Sequence, residues 1–301
     1  HEPTNDPLIF PGGGDGSLTI EFGGEAVVEG ETIVGARLAD DADLTIEQGE
    51  LPTHGLSING GSNFEGGVLR VTGNSLNGLA GDDFALNHEQ GETLQLTGGA
   101  VFNLDDSPGG DELNIGNTHS GRLELLSGAT ASADDGSAAL GIGSDATVSL
   151  IGNGTELSYA GSFQGGFTTA TTPLGEIIVP GGQATIDVED GARFIVTNTV
   201  ELGRNVTLTV DDATLTTTQL TSRGTIEGDG LIDADVRADG VTRPGASPGT
   251  LVIGGDYTQG ATGVIELEIG GIGPGQFDLL RVLGDGTFNG SLDLIFKNYF
   301  K

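Results

Sequence analysis

A short phrase, apolar-x-apolar-x-x-Gly, recurs along this chain and restricts its fold more than any other feature. It runs from Leu44 to Gly49, Leu94 to Gly99, Leu123 to Gly128 and Ile186 to Gly191. Ala follows the Gly in the last three copies, as Ala100, Ala129 and Ala192. A degenerate copy from Leu208 through Val210 to Ala213 carries Asp212 where the Gly would be. A second phrase, apolar-x-apolar-Gly, occupies Leu113 to Gly116, Leu140 to Gly143, Val200 to Gly203 and Leu251 to Gly254. Both contain the period-two alternation of a strand with one buried face. The same alternation marks Ser17 to Phe22, Thr185 to Val188, Val206 to Val210 and Val264 to Ile269.

Such strands are too short to bury an apolar face alone, but copies stacked along an axis bury it jointly. The spacing between phrases is irregular, which predicts coils of about 20 residues with loops of variable length. Leu, Ile and Val then point inward, Thr, Ser, Asp and Glu point to water, and Gly and Asn take the corners where φ turns positive. Helix is disfavoured, because 55 of the 301 residues are glycine and each interior Gly costs a helix up to ~1 kcal/mol. With strands ~4.8 Å apart, about a dozen coils make a rod roughly 55–60 Å long. The expected fold is all-β: a right-handed parallel β-helix (β-solenoid) with a strand-rich C-terminal cap. A β-sandwich built from hairpins is the competing architecture, disfavoured because sandwich strands do not normally repeat a phrase.

Charge and missing residue types narrow the function. Forty-four acids against eleven bases give a net charge of −33, a field that repels nucleic acid and anionic membranes. No run of 18 apolar residues occurs, so no membrane insertion is expected. Cys, Met and Trp are absent, which removes disulfides, thiolate metal sites, a cysteine nucleophile and tryptophan-lined sugar subsites. A chain that starts at His1 without a Met or a leader, acidic and free of oxidisable sulfur, is expected to be extracellular or on a bacterial cell surface.

From about residue 90 the phrases also carry a resemblance. Leu113-Asn-Ile-Gly116, Gly121-Arg-Leu-Glu-Leu-Leu-Ser-Gly-Ala129, Leu140-Gly-Ile-Gly143 and Thr147 to Leu157 resemble the repeats of autotransporter-type passenger domains of bacterial surface proteins. The closest wording is Gly224 to Val236, followed by Arg243-Pro-Gly-Ala-Ser-Pro-Gly249 and its continuation to Gln259, then Val264 to Gly271 and Phe277 to Val282. The resemblance covers about residues 90–301. It implies a right-handed parallel β-helix outside the cell, serving as stalk, adhesin or matrix, with no catalytic residues to carry over. No barrel-forming strands follow before Lys301, where an autotransporter would need them, so a freestanding secreted protein is the expectation.

Residues that could carry chemistry do not assemble into a site. Adjacent acids at Asp40/Asp41, Asp82/Asp83 and Asp105/Asp106, with further pairs at Asp134/Asp135 and Asp211/Asp212, are the candidates for calcium, which takes several hard oxygen ligands. The competing reading is solvated turns, since 44 acids make adjacency inevitable. Glycosidase chemistry needs two carboxylates flanking a sugar, and three tyrosines, Tyr159, Tyr257 and Tyr299, supply a poor stacking platform. The histidines His1, His54, His88 and His119 lack zinc spacing. Ser247 within Gly245-Ala-Ser-Pro-Gly249 is followed by Pro248, unlike a nucleophile elbow. No catalytic residue and no cofactor is expected, and the protein is read as a non-enzyme.

Three segments are expected: an extended N-terminal arm over 1–16, a β-solenoid over 17–250, and C-terminal strands over 251–301 that continue or cap it. Leu8, Ile9 and Phe10 form an apolar anchor suited to self-association. A stack of coils has open edges at both ends, and end-to-end pairing of copies gives a fibre. The sequence therefore points to a structural subunit of an extracellular filament or surface matrix, a homo-polymer. The alternative is a monomeric surface adhesin that binds glycans or a partner protein.

Overall fold

In the computed structural model the chain winds as a parallel β-helix. The structure describes residues 120–297 except 134–136, 142–143, 173–174 and 246–247, and before residue 120 chiefly the strand segments, most of them as backbone only. No helix occurs among the described residues, and 29 of the strands join in one sheet.

Three faces recur in each lap. On the first, Gly67–Val71, Glu92–Leu96, Gly121–Leu126, Ala146–Ile151, Ala184–Glu189 and Val206–Asp211 pair in parallel, each with the next. The row continues through Thr225–Gly228, Val241–Pro244 and Val264–Ile269 to Ser291–Phe296. The second face runs from Val101–Leu104 through Thr130–Ala133, Glu156–Tyr159 and Arg193–Val196, and ends at Leu279–Val282. The third includes Ser137–Leu140, Ser162–Gly165, Thr199–Leu202, Tyr257–Gln259 and Gly286–Phe288. Thr214–Ser222 and Leu231–Ala238 each bend across the second and third faces, with a register shift between Thr216 and Gln219. The strands after residue 250 continue these same faces.

Laps differ in length because the loops do, as the irregular phrase spacing predicts. Asp212 N–H donates to Asp229 Oδ1 at 3.0 Å across only 17 residues, whereas Gln183 N–H donates to Asp145 Oδ1 at 3.0 Å across 38. The long lap contains a hairpin, Phe167–Thr172 with Gly175–Pro180. It is the only antiparallel strand pair among the described residues, so the two facing layers of a sandwich do not form.

The core is a set of aliphatic ladders. Leu94, Leu123, Val148, Ile186, Leu208 and Ile226 stand beside one another in successive laps, and each is at most 1% exposed. Full burial of one such side chain is worth about 1.5–3 kcal/mol. The ladder continues with Thr242, a buried hydroxyl that shares a hydrogen bond of 2.9 Å with the Tyr257 hydroxyl. That bond lets two polar atoms sit in the core without the cost of an unmade one. Phe163 and Phe194 meet edge to face at 5.2 Å in the corner between faces.

The Gly-Ala corner of the repeated phrase also has a structural cause. Ser127 and Gly128, and Asp190 and Gly191, take positive φ before Ala129 and Ala192. Both alanines are fully buried. Asp212 has a φ of 46°, matching Asp190 at 56° rather than Gly191 at 83°. The degenerate copy has therefore lost the Gly altogether, and Asp212 fills the position before it. Asp tolerates this left-handed conformation better than most side chains. The buried Thr155 Oγ1 accepts from Gly128 N–H at 2.9 Å and donates to the Ile151 carbonyl at 3.0 Å, tying two laps at this corner.

At the other terminus, Leu8–Phe10 forms a strand parallel to Val28–Val34 of the same chain, in register with Thr32, Ile33 and Val34. Of the arm expected over 1–16, only Leu8–Phe10 and Gly16 lie among the described residues. Its apolar anchor belongs to the sheet, because three adjacent apolar residues gain more from backbone pairing on an existing edge than from remaining extended in water. Gly16–Ile20 is also a strand, paired with Ala42–Ile46.

Candidate functional site

Two surfaces of the described part depart from the plain pattern of aliphatics in and hydroxyls out. One is the end of the stack, the other an acidic groove.

At the last described lap the inward ladders have no further described strand over them. Ile265 pairs with Leu292, Leu267 with Leu294 and Ile269 with Phe296. Ile265 is 5% exposed, whereas Leu292 is 57%, Leu294 46% and Phe296 61% exposed. On the third face Phe288 follows Gln259 in register and is 58% exposed, while Gln259 is buried. Gln259 Nε2 donates to the carbonyls of Gly263 at 3.0 Å and Ser291 at 2.7 Å, anchoring the final lap. Leu280 and Val282 pack against the core from one side. The strand Ser291–Phe296 pairs with Val264–Ile269 and with no other described strand. At the opposite limit of the sheet, Leu8–Phe10 likewise has one described partner. The register through Thr32 to Leu56 and on to Leu76 places it on the second face, the face that ends at Leu279–Val282.

The acidic groove lies on the outer side of the first face, where outward positions of successive laps fall side by side. It has a volume of about 400 Å³ and is lined by Asp211, Glu227, Arg243, Glu266, Glu268 and Asp278, among others. Arg243 sits between Glu266, which it contacts through Nε, and Glu227, 3.6 Å away. The hydrogen bond to Glu266, then the surrounding acids, hold its pKa above the usual range despite desolvation. Asp278 is a structural carboxylate that accepts from Gly249 N–H at 3.1 Å and Glu268 N–H at 2.7 Å. The Asp211 carboxyl is pushed up to about 6, chiefly by its hydrogen bond to Asp229 and then by burial and the Asp229 charge. Burial, partly offset by Thr209 and Arg122, raises Asp187, and burial followed by the neighbouring charges of Asp187 and Asp190 raises Glu189.

This arrangement brings carboxyls with raised pKa values beside the paired Arg243. Asp211 is hydrogen-bonded to Asp229 across laps, whereas a glycosidase pair flanks its substrate. Tyr159 and Tyr257 are core residues, fully or nearly fully buried, and so are not available to stack on a sugar; Tyr299 lies outside the described residues. No group of three or more potential ligands suited to a metal ion occurs among the described residues. The calcium candidates Asp40, Asp41, Asp82, Asp83, Asp105 and Asp106 lie outside the described residues. Of the remaining adjacent pairs, Asp134 and Asp135 do so too. In Asp211/Asp212 the partner of consequence is Asp229, one lap on. Reading adjacency along the chain missed it; reading across the laps would have found it.

The fold defines the class, a parallel β-solenoid. Comparison with protein-family models, with curated proteins and with solved structures finds no match.

Proposed function

We propose that this chain is a secreted, non-catalytic structural subunit of an extracellular filament or surface matrix, and that copies join through the ends of the solenoid. The observation that carries this reading is the exposure of Leu292, Leu294, Phe296 and Phe288, between about half and two thirds, on strands that have a described neighbour on one side. An open parallel edge with an apolar inner face is a template for another strand. Leu8, Ile9 and Phe10, as an edge strand on the same face as Leu279–Val282, supply one. This joint is heterologous, so it propagates instead of closing. Absent sulfur and a charge of −33 suit an oxidising, dilute setting outside the cell. The same charge opposes contact between copies at low salt, where screening lengths exceed ~10 Å, so salt should promote assembly.

Negative-stain microscopy and sedimentation of the purified chain test the proposal. The expected result is salt-promoted fibres that disappear in Leu294→Asp while the variant remains folded by circular dichroism. Isolated rods of the unaltered chain at every salt concentration would overturn it and favour a monomeric surface adhesin that binds glycans or a partner protein.

A further inference from the structure

Eight of the eleven basic residues have described side chains, and five of them, Arg122, Arg193, Arg237, Arg243 and Lys297, form ion pairs. The exceptions are Arg204, Arg223 and Arg281. Arg204 and Arg223 line one groove of about 560 Å³ together with Arg237, Asp239 and Thr262. In a chain with four acids for every base, two arginines without a carboxylate partner in one groove are out of place. Each added cation raises the electrostatic cost of the others.

The backbone explains how they come together. Leu202, Ser222, Ala238 and Gln259 are register partners on the third face, and the chain turns just after each of them. The turns hold Gly203-Arg204, Arg223-Gly224 and Asp239-Gly240. These glycines are required by close approach: a Cβ on Gly240 would collide with the Gly224 carbonyl, and one on Gly224 with the Val206 carbonyl. Arg223 N–H donates to the Leu202 carbonyl at 2.9 Å, and Val241 N–H to the Gly224 carbonyl at 2.9 Å. Successive laps therefore stack tightly at this corner and bring their arginines to one groove. The Arg223 guanidinium lies 5.5 Å from the Phe167 ring centroid, which orients its plane. Its Nη1 is buried without a hydrogen-bond partner. A desolvated guanidinium N–H requires an acceptor. Arg237 is held by Asp239 through Nε at 3.1 Å and Nη2 at 2.8 Å, leaving the other two guanidinium forks to act on whatever enters.

We propose that this groove is an oxyanion site, in which Arg204 and Arg223, with Arg237 held beside them by Asp239, bind a single carboxylate, sulfate or phosphate group. Planar guanidinium forks match the paired oxygens of such groups. The scale is one group rather than a polyanion. Screening confines the attraction to about 8 Å at physiological salt, and a long polyanion would extend over the acidic remainder of the surface. The site does not depend on the ends of the solenoid joining.

The test follows the arginine Nε–H resonances of the full-length, isotope-labelled chain. Sodium sulfate and sodium acetate are titrated separately against sodium chloride at matched ionic strength. Saturable shifts with sulfate, acetate or both, at signals that vanish in Arg204→Gln and Arg223→Lys, are the expected result. Arg204 is exposed, so Arg204→Gln should fold normally and bind about tenfold more weakly, the equivalent of ~1.4 kcal/mol. Arg281→Gln, which does not line the groove, should bind as the unaltered chain does. Shifts that rise without saturation and equally in chloride would overturn the proposal, as would an equal loss of binding in Arg281→Gln.

Discussion

The lap containing Val206–Asp211 and the lap containing Ser291–Phe296 are built from the same kind of strand, yet they differ in what covers them. Leu208 and Val210 are fully buried, while Leu292 and Leu294 in the equivalent inward positions are about half exposed. Alternation is equally regular in both. The difference lies in the neighbour: Val206–Asp211 has a strand on each side, and Ser291–Phe296 has one among the described residues. Burial in a solenoid is conferred by the next lap, so identical inward residues stabilise the fold in one region and present a sticky surface in the other.

The comparison can be broken most decisively by truncating one ladder residue in each region. Leu208→Ala should cost about 2–5 kcal/mol, the range for a buried leucine that leaves a cavity. Leu294→Ala should cost less than about 1 kcal/mol while weakening assembly. Urea denaturation of both variants checks this, and equal losses would show that the end lap is covered after all.

A smaller effect is expected at the corner that ties the laps. Thr155→Val keeps the volume but removes the hydroxyl that serves Gly128 N–H and the Ile151 carbonyl. The loss should be about 1–3 kcal/mol, because Gly128 N–H is left without its acceptor. Thermal melting of the variant measures it, and Thr155→Ser should retain the bonds and most of the stability.

The smallest effect sharpens the contrast between the apolar inner and acidic outer sides of the central laps. Asp211 binds a proton in the folded state with a pKa of about 6 against an ordinary 3.8. Between these values the folded chain holds more protons than the unfolded one, so this pair makes stability fall as pH rises from about 4 to about 6. Above that the full repulsion between Asp211 and Asp229 remains. Asp211→Asn removes the repulsion. Its stability relative to the unaltered chain should therefore increase across that window and level off above it. A flat difference between pH 4 and 7 in paired denaturation curves would contradict the assignment.

Much of the fold was legible in particular residues. The phrases at Leu123 to Gly128 and Ile186 to Gly191 mark strands that stand on the same face, with the corner Gly at positive φ. The hairpin between Phe167 and Pro180 was hidden because its β-branched residues suit any strand, and a hairpin differs from a lap only in what it pairs with. Leu8, Ile9 and Phe10 were identified as apolar and therefore anchored, but their partner, Thr32–Val34, has no local signal. The Asp211–Asp229 pair and the arginine corner were illegible for the same reason. Each forms between residues a whole lap apart, and the lap length is set by loops whose lengths follow no rule along the chain.

The sequence by itself determined that the chain is all-β, that its aliphatics face inward, and that stacking is the way to bury them, because period-two alternation and glycine corners act locally. Only the tertiary structure decided which residues become neighbours across laps. Those cross-lap contacts set which inward residues of the last described strand stay exposed, where two carboxyls meet and where arginines converge, since charge and burial depend on distance in space.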